Sequence, residues 1–196
     1  MGAEQNNATA AVLQWWRGLH RDTGASRAAR ARLRRCSGAL DALLLEETHN
    51  LVKAVRSAET VSIPRDVERR LLVLATTLPL VAHQSKISFA RALGQMRDGR
   101  APTGDERQRL SPTRFGTLTR AAHGGDWDYF ARVLRRAIAI LDETPFDIAR
   151  LIDDVLFMRS GTLQRWTYDY WQTRAPADRA DIESSDTPAN EMETIS

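Results

Sequence analysis

The sequence predicts an all-α protein made of two small helical bundles in one chain, followed by a disordered acidic C-terminal tail. Three observations carry that prediction. Apolar residues recur at spacings of three and four along most of the chain, the period of an amphipathic helix. No β-branched run alternates with polar residues between turn signals, so no strand is expected. From Ala175 onward Pro, Ser, Thr and acids dominate, leaving too little apolar area to offset the entropy of ordering.

A first helix is expected over about 8 to 20, with Val12, Trp15, Trp16 and Leu19 on one side and the Asp-Thr-Gly at 22 to 24 ending it. The stretch RAARARLRRC at 27 to 36 continues as a helix. In ALDALLLEETHNLVKAV the residues Leu40, Leu43, Leu44 and Leu51 predict a buried stripe. A new element begins at Ile63 with Pro64, which is preorganised for a first helical turn. Val67, Leu71, Leu74 and Leu78 follow, and Pro79 stops it. The segment SFARALGQMRDGRAPTGDERQRL starts as a helix and passes into a Gly, Pro and charge-rich loop at 98 to 107, the expected boundary between bundles. Ser111 and Pro112 read as N-cap and first helical residue, and Gly124-Gly125 closes that helix. Asp126 caps a strongly amphipathic helix carrying Phe130, Leu134, Ile138 and Leu141. Thr144 and Pro145 open the last long element, which Trp166, Tyr168, Tyr170 and Trp171 crowd at its end. The expected units are therefore 8–97, the loop 98–107, 108–174 and the tail 175–196.

Composition excludes several chemistries. Cys36 is the lone cysteine, so neither an intrachain disulfide nor a Cys-rich zinc site is available. His20, His49, His83 and His123 are scattered without metal-ligand spacing. The Asp-Trp-Asp at 126 to 128 has the form of a metal-binding pair, but Asp126 already serves as a cap, and Asp153-Asp154 lacks the further acids of a two-metal site. No Gly-rich phosphate loop and no motif marking a nucleophile occurs. Catalytic residues, metal and cofactors are accordingly expected to be none. The longest apolar runs, such as ALLL at 42 to 45, fall far short of the roughly 20 residues that cross a bilayer. The opening MGAEQNNATAAV shows neither the basic nor the apolar region of a secretory signal. A cytoplasmic protein without membrane contact is expected.

Charge is the informative feature. The net charge is +3, but the segment from Ala175 holds six acids and one arginine, leaving 27 basic against 19 acidic residues in positions 1 to 174. Of the 28 basic residues only Lys53 and Lys86 are lysine. Arginine's planar fork suits phosphate, although an Arg- and Ala-rich composition also follows from a GC-rich genome. In the stretch from 27 to 36, Arg27, Arg30 and Arg34 fall within a sector of about 60° on a helix, and Ala29, Leu33, Cys36 and Leu40 occupy an apolar sector. Arg32 and Arg35 flank that apolar face. No acid stands between Arg27 and Arg35, whereas a merely solvated face normally interleaves glutamate. Regularly spaced guanidinium groups of this kind track a phosphate backbone without reading bases. A second basic group comprises Arg114 and Arg120 on one helix and Arg132, Arg135 and Arg136 on the next, which an antiparallel hairpin would join into one groove. Solvated faces explain this second group equally well. Trp15, Trp127 and Trp166 are expected in the core rather than as stacking platforms for bases.

Read in order, WWRGL, RARLRR, VLATTLPLVAHQ, ISFARALGQM, SPTRFGTLTRA, DYFARVLRRAIAIL and WTYDYW resemble the CasB family, the small subunit of the type I-E CRISPR surveillance complex Cascade. The resemblance spans roughly residues 10 to 172. It implies a two-bundle helical subunit without enzymatic activity, present as two copies. It also implies contacts with other Cascade subunits, with crRNA and target DNA, and with the displaced strand of the R-loop. The basic positions of the family fall on Arg34, Arg35, Arg65, Arg114, Arg120, Arg135 and Arg136. Where relatives carry basic residues after the LTRA segment this chain has AHGGDW, a departure that removes one contact of the patch. Two other readings stay open: a purely structural helical adaptor, and a helix-turn-helix DNA-binding regulator.

Overall fold

The structure, a computed structural model, describes residues 2–58 and 65–173, with side chains placed for 7–58 and 66–173. The expected element start at Ile63-Pro64, the Arg65 side chain and the segment 175–196 lie outside the described residues. The chain is all-helical, as expected. Ten α-helices lie among the described residues: α1 (Gly2–Leu19), α2 (Gly24–Arg35), α3 (Ala39–Leu43), α4 (Glu46–Ala58), α5 (Arg65–Thr77), α6 (Phe89–Gly94), α7 (Pro112–His123), α8 (Trp127–Leu141), α9 (Ile148–Leu156) and α10 (Ser160–Trp171). A 3-10 turn at Leu78–Leu80 ends α5 where Pro79 removes a donor. Among the described residues no helix is long and apolar enough to cross a membrane.

Side-chain caps start several of these helices. The Thr23 hydroxyl accepts from the Ser26 N–H at 3.1 Å, and the Asp126 and Asp147 carboxylates accept from the N–H groups of Tyr129 and Arg150 at 2.9 Å each. Each side chain satisfies one of the donors a helix start leaves orphaned. Between α7 and α8, Gly125 takes φ +74°, a left-handed conformation glycine adopts without strain.

Packing then assembles the helices. α1 lies on α4 and α9, α5 on α8, α7 on α8, and α6 on α10. One continuous apolar core results, in which Val12, Leu51, Leu74, Leu93, Phe130, Leu134 and Ile152 are fully buried. It runs across the 98–107 loop, because α6 before that loop packs on α10 after it. Buried indoles find acceptors: Trp16 donates to the Val81 carbonyl at 3.0 Å and Trp166 to the Asp154 carboxylate at 2.6 Å. The tightest approach is that of α6 to α10. A Cβ built on Gly94 would sit 1.9 Å from the Tyr170 carbonyl oxygen, so only glycine fits there.

Two sequence expectations are corrected. Leu40 and Leu44 are 74% and 81% exposed and Leu43 is half-exposed, whereas Leu51 is buried. The run from 39 to 58 is two helices and not one. The Leu44 and Leu45 N–H groups bond three residues back, to the Asp41 and Ala42 carbonyls at 3.2 and 3.1 Å, which tightens and ends α3. The break turns the leucine stripe away from the core that Leu51 faces. The last long element is likewise divided, into α9 and α10, and its cap is Asp147 and not Thr144. Arg159, Ser160 and Gly161 begin the second part, and the Arg165 and Trp166 side chains fold back onto Asp154 of the first.

Gly94→Ala should destabilise the protein by about 1–3 kcal/mol or more, as overpacked cores do, lowering the thermal midpoint in circular dichroism. Leu51→Ala should cost about 2–5 kcal/mol, while Leu44→Ser should stay within about 0.5 kcal/mol of the parent as an exposed substitution. The same melting experiment checks all three.

Candidate nucleic-acid interface

The arginines divide by what they touch. Arg27 pairs with Asp22 at 2.5 Å, Arg32 with Glu47, Arg70 with Asp66 at 3.1 Å, Arg100 with Asp98 and Glu106, Arg150 with Asp169 at 3.2 Å, and Arg165 with Asp154. Arg56 pairs with Glu68. Among the described residues Arg30, Arg34, Arg35, Arg114, Arg120, Arg132, Arg135 and Arg136 have no acidic partner. Pairing alone does not set these eight apart, since Arg17, Arg21 and Arg91 lack one too. Their grouping on α2, α7 and α8 does.

On α2, Leu33 is fully buried and fixes the helix roll. That roll sends Arg32 to Glu47 on α4 and leaves Arg27, Arg30, Arg34 and Arg35 along an open groove of about 330 Å³ with Ala31 at its floor. His20, whose Nδ1 lies 3.0 Å from the Trp16 carbonyl, sits close to this row. Burial, and then the cations of Arg30 and Arg34, push its pKa below the usual 6.5, although the Trp16 carbonyl opposes them.

The α7–α8 hairpin forms a second groove, of about 430 Å³, where Arg114 from α7 and Arg136 from α8 face common ground with Thr117, Tyr129, Val133 and Ile140. Of the second basic group these two share the groove. Arg120 folds back along its own helix over Gly116, its Nη2 3.4 Å from the Thr117 hydroxyl. Arg132 places its guanidinium 5.9 Å from the Tyr129 ring centroid, within cation–π range. Tyr129, 40% exposed, is the member sequence reasoning missed. Its signal was present: Tyr129, Arg132 and Arg136 stand at i, i+3 and i+7, one helix face.

Arg135, also on α8, lines neither groove and is itself occupied. Its Nη1 donates to the Thr76 carbonyl at 2.6 Å and its Nη2 to the Arg34 carbonyl at 2.8 Å. Both carbonyls belong to last turns, of α5 and of α2, where helices leave acceptors unsatisfied and the macrodipole is negative. Burial, with the nearby Arg34 cation adding to it, lowers the Arg135 pKa from its usual value, while Cys36 opposes that shift. Arg135 is therefore a strut that ties α8 to the C-terminal ends of α2 and α5.

The carboxylates read as candidate metal ligands are engaged elsewhere. Asp126 caps α8, Asp128 lies 3.4 Å from the Ala39 N–H, and the buried Asp154 is held by Arg165 and Trp166. Burial raises the Asp154 pKa in spite of those partners. Among the described residues no group of three or more His, Cys, Asp or Glu is placed to hold a metal. Trp15 donates to the Glu47 carbonyl at 3.0 Å, Trp127 lies under Arg70 at 4.8 Å, and Trp166 is buried.

An all-helical protein with unpaired cations lining two grooves is the class that fold and surface define. Over residues 29–171 the chain matches the model of the CRISPR-associated protein Cse2, and it belongs to that family, the CasB small subunit of type I-E Cascade. No curated protein and no solved structure matches the chain. The family model begins inside α2 and ends at the last residue of α10, so α1 and the acidic segment lie beyond it.

Arg135→Ala should destabilise the fold by about 1.5–3 kcal/mol, the range for hydrogen bonds to a charged group, whereas Arg136→Ala should leave the melting temperature unchanged. A depressed histidine pKa means the unfolded chain binds the proton more readily. Stability should therefore fall as pH drops below about 6.5, and His20→Gln should flatten that slope in urea titrations between pH 7.5 and 5.

Proposed function

We propose that this chain is a non-catalytic, nucleic-acid-binding subunit of Cascade that stabilises the R-loop through arginine contacts to the crRNA–target duplex and to the displaced DNA strand. Family membership supplies the assembly, and the observation that carries the binding reading is the set of arginines on α2, α7 and α8 without an acidic partner among the described residues, five of which, Arg30, Arg34, Arg35, Arg114 and Arg136, line two grooves. Arg30, Arg34, Arg35, Arg114, Arg120, Arg132 and Arg136 act as phosphate clamps. Arg27 adds to them when it releases the exposed Asp22, and Arg65 extends the row by family position. Arg135 positions the others. R-loop formation is nearly balanced in free energy, so a handful of backbone contacts to the released strand biases it. Tyr129, exposed between Arg132 and Arg136, offers a ring on which an unpaired base stacks.

A structural adaptor is the second reading, favoured by the exposure of Leu40, Leu43 and Leu44. The short turn between α1 and α2 suits the regulator reading, in which an arginine-rich second helix enters a duplex groove. The readings separate on charge. In reconstituted Cascade, Arg34→Glu with Arg35→Glu, or Arg114→Glu with Arg136→Glu, should shorten R-loop lifetime without loss of assembly or helical content. Unchanged protection of the displaced strand would transfer the role to the adaptor.

For the isolated chain, affinity for single-stranded DNA should be independent of sequence. It should fall about a hundredfold between 50 and 200 mM salt if roughly five phosphates are contacted. A duplex site bound sequence-specifically at high salt would instead indicate the regulator.

A further inference from the structure

The Arg114–Arg136 groove lies beside the point where the described chain ends. Tyr170, near the end of α10, donates to the Leu110 carbonyl at 2.6 Å and stacks on Phe115 with ring centroids 3.9 Å apart. Leu110 lines the groove, and Phe115 follows Arg114 in sequence. The chain leaves from Thr173, three residues beyond Tyr170, and 23 residues remain. From Ala175 these hold Asp178, Asp181, Glu183, Asp186, Glu191 and Glu193 against Arg179 alone, a net charge of −5. An extended chain advances at most about 3.5 Å per residue, so Asp178, Asp181 and Glu183 reach up to about 18, 28 and 35 Å from Thr173. Chemistry matches as well as reach. Asp181-Ile182-Glu183 sets an apolar side chain between two carboxylates, and the groove sets Val133 and Ile140 beside two guanidinium groups.

We infer that the segment 175–196 occupies the Arg114–Arg136 groove of its own chain and competes there with nucleic acid. Docking of the segment follows from charge, reach and apolar match; the competition rests on the function proposed above. Carboxylates satisfy the guanidinium forks in the free subunit, and a nucleic-acid strand, with a phosphate at every nucleotide, displaces them. The acidic segment thus screens one groove against stray polyanions while the α2 groove stays open.

Three forms of the full protein test this: the parent, a chain ending at Arg174, and a full-length chain in which all six acids are replaced by Asn or Gln. The NMR Hε signals of Arg114 and Arg136 should move between the parent and both variants. Oligothymidylate should bind both variants about three- to tenfold more tightly at low salt, the gain expected when an intramolecular competitor at millimolar effective concentration is removed. That gain should vanish at high salt and on an Arg114→Ala, Arg136→Ala background. Hε signals that stay in place in both variants overturn the inference, as does a gain that survives the double arginine substitution. Signal shifts that grow with protein concentration assign the contact to a second copy and overturn the intrachain reading. If no form binds oligothymidylate, the proposed function falls and the Hε signals alone decide whether the segment sits in the groove.

Discussion

Two helix ends resting on one guanidinium organise this protein's charged surface. The C-terminal carbonyls of α2 and α5 each need a donor, and Arg135 reaches both. Carbonyl dipoles and not a carboxylate compensate its charge. Had the strut been an ion pair, a negative group would stand among the cations and weaken them. Arg135 therefore ties α8 to both α2 and α5 without an acidic partner of its own among the described residues.

Paired and unpaired arginines coexist in the same ten residues. Within the stretch 27 to 36, Arg32 meets Glu47 on α4, Arg27 meets Asp22, and Arg30, Arg34 and Arg35 meet no acid among the described residues. The partition follows from geometry. Leu33 fixes the helix roll by entering the core, and every other position then has a determined direction. A single apolar residue thus decides which cations serve the fold and which face outward.

The same geometry explains what was legible in the sequence. Caps and apolar stripes are local, so the cap at Asp126 and the buried face of α8 were readable from Asp126 itself and from Phe130, Leu134, Ile138 and Leu141, whereas Asp147 was passed over for the nearby Thr144-Pro145 pair. Contacts over long separations were not readable. Arg135 finds Arg34 across 101 positions, Arg32 finds Glu47 across 15, and nothing local in VLRR distinguishes a strut from a clamp. The leucines of α3 misled for a related reason: periodicity assumes a continuous helix, and a break of two residues turns the stripe outward. Tyr129 was overlooked because the aromatics weighed between core and stacking were the tryptophans, although its helical register with Arg132 and Arg136 placed it on the basic face.

The contact of Gly94 with the Tyr170 main chain limits how this sequence can drift. The colliding atom is a backbone oxygen, present whatever residue occupies position 170, so no compensating change there can relieve it. Every other amino acid carries a Cβ, and a missense change in the Gly94 codon therefore has no neutral neighbour unless the α6–α10 crossing itself widens. Tyr170 is constrained differently: losing its hydroxyl removes one hydrogen bond, and phenylalanine keeps the stack on Phe115. Among diverging copies of this gene the glycine is thus the anchored position and the aromatic the negotiable one, which inverts the usual expectation that the larger buried residue is the more conserved.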